Sequence, residues 1–111
     1  MLVAFDFGIS NTDIGVFRDN QTTFHTISSK RENISTELIK DMLELFSLPI
    51  SEIKCLGVTG GKSSDLPNNI GSIQICKINE VDAIGFGAKI LYDIEKEPTL
   101  VVSTGTGTAC V

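Results

Sequence analysis

The stretch LVAFDFGISNTDI, residues 2–14, sets the frame for the chain. Leu2, Val3, Ala4 and Phe5 are apolar; they deliver Asp6 and Gly8 into a short polar segment, and the pattern turns apolar again at Ile14 and Val16. Two such runs joined through glycine and small polar residues predict a tight hairpin with exposed backbone amides. Gly8 admits close approach of the backbone to a ligand, and Ser10, Asn11 and Thr12 supply small donors suited to phosphate oxygens. Asp6, at the strand end, suits a hydrated magnesium ion reached through water. An ordinary hairpin turn uses the same residues, and this stretch by itself leaves both readings open.

A second stretch, LVVSTGTGTACV at residues 100–111, repeats the design. An apolar strand leads into Ser103, Thr104, Gly105, Thr106, Gly107 and Thr108 and then back to apolar residues. Two glycine and hydroxyl turns on two strand ends can face each other across a cleft.

The bounds are those of a single domain. A chain of 111 residues builds a modest core and is short for a two-lobed enzyme. With 41% hydrophobic and 21% charged residues it fits a soluble globular protein rather than a disordered or membrane-embedded one. The formal net charge of −5, with Lys30 and Arg31 as the densest basic pair, argues against a nucleic-acid or anionic-membrane partner. The first apolar run lacks a basic start and is cut off at Asp6, so it is neither signal peptide nor membrane span, and a cytoplasmic, reducing setting is expected. Cys55, Cys76 and Cys110 have no CxxC or histidine partner at metal spacing and read as buried free thiols. The only histidine, His25, falls in a strand with no nucleophile near it in the pattern, and reads as a partly exposed strand residue.

Taken in order, the chain alternates strands and helices. Asp13 to Arg18 and Thr22 to Ser28 continue the first strand into an antiparallel meander, turning at Asp19, Asn20 and Gln21. Ile34, Leu38, Met42, Leu45 and Phe46 recur at helical spacing behind the candidate caps Asn33 and Ser35, and Pro49 ends that helix. A strand from Ile53 to Thr59 after a helix predicts a parallel crossover. Gly61, Lys62 and Ser63 imitate the end of a P-loop, but the position five residues before Gly61 is Leu56, so the wrap of amides is one residue out of step. Ser64 to Asn69 reads as a short helix or loop and Ile73 to Ile78 as a strand. Asn79 caps a helix running to about Ile94, with Val81, Ile84, Ala88 and Leu91 on one face and Gly85 and Gly87 serving close packing.

The paired turns and their spacing resemble the two phosphate loops of the actin, sugar kinase and Hsp70 ATPase superfamily, with DFGISNTD as the first loop and STGTGT as the second. Within it the chain resembles the type II pantothenate kinases, through DFGISNTD, CLGVTGGK, NEVDAIGFGAKIL and VVSTGTGTACV in that family's order. The resemblance implies an α/β fold: a ribonuclease H-like, actin-type ATPase first lobe over residues 1–97, built from a three-strand antiparallel meander plus parallel strands with helices. Residues 98–111 would be the first strand and phosphate loop of a truncated second lobe. It implies transfer of a phosphoryl group from ATP, with Mg2+, to pantothenate as the first step of coenzyme A biosynthesis, by a protein that is a homodimer when full length. The present chain would be a fragment that does not turn over ATP.

Residue by residue, the resemblance makes Glu80, in Glu80-Val81-Asp82-Ala83, the general base. It places Asp6, Gly8, Ser10, Asn11, Thr12, Gly105, Thr106, Gly107 and Thr108 around the nucleotide, and Thr59, Gly60 and Gly61 near the substrate. Glu80 also reads as a first-turn helix acid favoured by the macrodipole. Asp13 stands where many pantothenate kinases carry a lysine, and SNTD is closer to the loop of hydantoinase-type and reactivase-type relatives. Three other readings follow: an ATP-driven activator or reactivating chaperone, a kinase for another small hydroxyl substrate, and a half-lobe acting as a binding module.

Overall fold

Residues 1–29, 33–105 and 108–111 are described by a computed structural model, residues 108–110 through their backbone alone. They form two compact units, Met1–Lys77 and Ile78–Val111. The first holds strands β1 (Leu2–Phe7), β2 (Asn11–Arg18), β3 (Gln21–Ser28), β4 (Cys55–Thr59), β5 (Asn69–Ile70) and β6 (Ile73–Lys77), with helix α1 (Thr36–Leu45) and short 3-10 turns at Ile50–Glu52 and Ser63–Asp65. One mixed sheet runs in the order β3-β2-β1-β4-β6-β5. The meander is antiparallel, and β4 joins β1 and β6 joins β4 in parallel, so the expected crossover is present. The short antiparallel strand β5 occupies part of the stretch expected to be a helix or loop.

The meander turns tightly for a local reason. Asp19 and Asn20 form a two-residue loop between the paired residues Arg18 and Gln21, with φ of 52° and 59°. Left-handed backbone at both loop positions matches the twist of the flanking strands, and Asp and Asn tolerate it better than most side chains.

Strand alternation then decides the core. Val3, Phe5 and Phe7 of β1, Ile14 and Val16 of β2, Leu56 and Val58 of β4 and Ile73 and Ile75 of β6 share one face and are buried. The rings of Phe5 and Phe7 stack with centroids 5.6 Å apart.

Helix α1 closes that face from above. Ser35 is its N-cap, the hydroxyl oxygen accepting from the Leu38 amide at 3.1 Å. Of the residues expected inside, Met42 is buried and Ile34, Leu38 and Phe46 pack against the core, but Leu45 is 67% exposed, and Ile39 and Leu43 are buried as well. Residues 38, 39, 42, 43 and 46 form one continuous stripe at helical spacing, and Leu45 lies on its flank. The helix also ends before Pro49. Ser47 adopts φ of 54°, its amide donates to Glu44 O, and the Leu48 amide donates to Leu43 O at 2.8 Å, the paired bonds of a Schellman ending.

In the second unit, α2 (Glu80–Leu91) is followed by a hairpin of β7 (Val102–Thr104) and β8 (Thr108–Cys110). Asn79 caps α2 as expected, its Oδ1 accepting from the Asp82 amide at 2.8 Å. The helix stops short of Ile94, because Asp93 turns left-handed at φ of 52° and the Ile94 amide donates back to Lys89 O. Of the four residues expected on its inner face, Ala88 is buried. Gly85 serves close packing, since a Cβ there would lie 3.0 Å from Val111 Cγ1; Gly87 does not, having nothing within 4 Å. Among the described residues, no helix is long and apolar enough to cross a membrane.

The flank that α1 buries is measurable. Leu43→Ala should lower unfolding free energy by about 3 kcal/mol and Leu45→Ala by less than about 0.5 kcal/mol, read from urea denaturation. Equal losses would mean that both flanks of the stripe are buried.

Candidate functional site

The first expected loop is a hairpin turn. β1 and β2 close at the pair Phe7 and Thr12, leaving Gly8, Ile9, Ser10 and Asn11 as an exposed tip. The Gly8 amide donates to Asp6 O at 3.2 Å, and a Cβ on Gly8 would meet Asn11 O at 2.6 Å, so the tip is folded too tightly for a side chain there. Ser29, just beyond β3, ties the tip down: its hydroxyl donates to Gly8 O at 2.8 Å and shares a hydrogen bond with Thr12 Oγ1 at 3.1 Å, while its amide donates to Ser10 O. Thr12 is consequently buried, its hydroxyl engaged in bracing the turn. Ser29 carries no signal in a single sequence, since a serine after a strand is common in any loop.

A second loop presses on the same place. Thr59 ends β4 opposite Asp6, and Gly60 and Gly61 follow with φ of 74° and 49°. A Cβ on Gly60 would lie 2.6 Å from Asp6 Oδ1 and 2.8 Å from Phe7 O; one on Gly61 would lie 3.1 Å from Phe7 O. Only residues without side chains let the end of β4 lie this close to the end of β1. The structure thus brings Asp6, Gly8, Ser10, Asn11 and Thr12 together with Thr59, Gly60 and Gly61.

The two faces of the sheet differ here. On the face away from α1, Asp6 stands directly opposite Asp13 on β2, Asp13 accepts a short hydrogen bond from Thr26 on β3, and Thr59 lies on the other side of Asp6. Thr59 Oγ1 is buried without a hydrogen-bond partner. On the α1 face a cavity of about 360 Å³ is lined by Phe7, Gly8, Thr12, Ser29, Asp41 and Lys62, among others. Lys62 therefore brings a positive charge to the turn from the loop after β4, where DFGISNTD itself has none.

The remaining candidates lie in the second unit. Glu80 is the first residue of α2 and is exposed. Asp82 exchanges hydrogen bonds with Asn79, its amide to Oδ1 and its carboxylate from Nδ2, so it stabilises the helix start. Gly105 follows β7, and Thr108 pairs with Thr104 through the backbone of β8. Thr106, Gly107 and the side chain of Thr108 lie outside the described residues.

No family model matches this sequence, and no curated protein does. Solved structures do. The chain is similar to YeaZ from Pseudomonas aeruginosa, with a TM-score of 0.50 and 10% identity, covering 83% of this chain and 49% of that one. It is also similar to an uncharacterized protein with similarity to peptidase YeaZ from Pseudomonas aeruginosa, with a TM-score of 0.49 and 10% identity, covering 98% of this chain and 57% of that one. The likeness is one of fold. The chain spans about half the length of the solved structures it matches.

These neighbours correct the sequence-based assignment. The fold match at a TM-score of 0.50 is to YeaZ and not to a pantothenate kinase, so the recognition as a type II pantothenate kinase is withdrawn, and with it pantothenate phosphorylation, the place in coenzyme A biosynthesis and the kinase classification. The activator or chaperone reading gains nothing from them. The general-base role of Glu80 rests on that kinase resemblance and is left without a substrate.

The close approach of β4 and β1 gives a direct test. Gly60→Ala should cost about 2 kcal/mol or more in unfolding free energy, since a backbone oxygen blocks the Cβ and φ is left-handed. Gly71→Ala, also at positive φ but with nothing within 4 Å, should cost about 1 kcal/mol. Denaturant titration of the two variants separates crowding from backbone strain.

Proposed function

We propose that this chain is a YeaZ-type protein that binds the phosphate groups of a nucleotide, with magnesium, at the β1–β2 turn. Residues 1–97 are then a ribonuclease H-like, actin-type first lobe and residues 98–111 the start of a second. The sheet order supports that lobe, with its three-strand antiparallel meander followed by parallel strands.

One observation carries the ligand reading: two carboxylates, Asp6 and Asp13, stand opposite each other beside a buried threonine hydroxyl that lacks a partner. Like charges directly opposite on neighbouring strands repel, and a cation between them offsets that cost. Magnesium keeps several waters and uses one or two carboxylates together with phosphate oxygens, and Asp6 and Asp13 would provide the carboxylates of that set. Bound magnesium would neutralise phosphate charge. The chain's own residues do the rest: the amides of Ile9 to Asn11 offer donors to phosphate oxygens, Ser29 keeps that tip in shape, and Lys62 adds charge from the side. A cytoplasmic setting, where magnesium nucleotides abound, suits this reading, as does the absence of a basic cluster for nucleic acid or anionic lipid.

The chain's single histidine lies apart from the two carboxylates. His25 stacks on Phe46 at 4.4 Å, and its register with Ile14 puts it on the α1 face, opposite to that of Asp6 and Asp13.

Titrating Mg·ATP into the protein by calorimetry tests the proposal. Wild type should bind, removal of magnesium should weaken binding at least about tenfold, and Asp6→Asn should do the same in the presence of magnesium. A wild type that binds no nucleotide, or an Asp6→Asn variant with unchanged magnesium dependence, would refute it.

A further inference from the structure

Cys55 and Cys76 are 21 residues apart in sequence and on neighbouring parallel strands, and their sulfurs lie 2.9 Å apart. The register explains the meeting. Cys55 stands opposite Gln74 and Cys76 opposite Gly57, so the two cysteines are diagonal neighbours on one face of the sheet. Gly57, two residues after Cys55 on the same face, has no side chain, which leaves room for the Cys55 sulfur to lean along its strand toward Cys76. Both residues are half-buried and so remain within reach of a small reagent. The neighbouring Cys76 sulfur, and secondarily burial, push the Cys55 thiol above its ordinary range.

We infer that Cys55 and Cys76 are a dithiol pair that a low-molecular-weight disulfide oxidises reversibly to a cross-strand disulfide. Closing the present 2.9 Å to a bond of about 2.0 Å asks the sulfurs to approach by about 0.9 Å. In the first step one cysteine, as thiolate, attacks a sulfur of the reagent, forming a mixed disulfide and releasing one reagent thiol. In the second, the other cysteine attacks the protein sulfur of that mixed disulfide and releases the second reagent thiol. Two protein S–H bonds are lost and one S–S bond forms; two electrons and two protons pass to the reagent, which leaves as two thiols. In a reducing compartment such a bond is transient, which fits a sensing pair better than a structural bridge.

The bond would tie β4 to β6 and close the segment that carries Thr59, Gly60 and Gly61. That segment is the one pressed against Asp6 and Phe7. Oxidation therefore restrains the loop beside the β1–β2 turn, whether or not a nucleotide binds there.

The test begins with the reduced full chain and oxidised glutathione. After incubation the free thiols are alkylated and the peptides mapped by mass. The expected product is a Cys55–Cys76 linked peptide pair, two hydrogens lighter than the reduced pair and returned to thiols by dithiothreitol. In Cys55→Ser the glutathione adduct on Cys76 should accumulate at least about tenfold more than in wild type, because nothing is left to resolve it. Wild-type chain whose two cysteines stay reduced, carry separate glutathione adducts, or link to Cys110 would overturn the inference, and the wild-type map decides this even if the variant fails to fold.

Discussion

The register of β1 against its two neighbours is the constraint on which the first unit depends. β1 is hydrogen-bonded antiparallel to β2 and parallel to β4, and its side chains alternate between a packed face and a polar end on the other face. A slip of one residue would carry Asp6 into the core and Phe5 out of it. Burial of Val3, Phe5 and Phe7 under α1 is therefore the same event as presentation of Asp6 beside Asp13 and Thr59. Core and candidate site are two faces of one strand.

The crowding at the end of that strand follows from parallel pairing. β1 and β4 end side by side, so the loops leaving them must share a small volume. Gly60 and Gly61 resolve this by turning left-handed against the backbone of Phe7, and Ser29 secures the opposite flank. Nothing in this arrangement needs a long side chain. The charged side chains around it are Asp6, packed against Gly60, Asp13 on the next strand and Lys62 in the loop after β4.

What could be read in the sequence was what local chemistry dictates. The meander, its Asp19–Asn20 turn, the Ser35 and Asn79 caps and the glycine turn after β4 each follow from a few adjacent residues. Features set by distant partners did not show. Ile39 and Leu43 are as apolar as Leu45, and only the sheet beneath α1 sets which flank of the Leu38–Met42–Phe46 stripe is buried. Both helices end through left-handed Ser47 and Asp93, where a sequence pattern looks for glycine or proline. The meeting of Cys55 with Cys76 depends on a register between strands joined by a long connection. The family assignment failed for a related reason. Glu80-Val81-Asp82 looked specific to one enzyme, yet Asn79 and Asp82 are accounted for by the capping of α2 alone. Short acidic motifs at helix starts carry little family information when capping already explains them.

The two-residue turn at Asp19 and Asn20 also bears on how the first unit assembles. Closing β2 on β3 restricts a loop of minimal length, so this hairpin can form from its own sequence on the microsecond scale typical of hairpins. β4 reaches β1 only after the meander, α1 and the connection beyond it have been laid down, and that contact orders a far longer loop. The pairing that creates the crowded strand ends is thus the entropically costly one. The chain gains its candidate site at the same step that commits it to the fold.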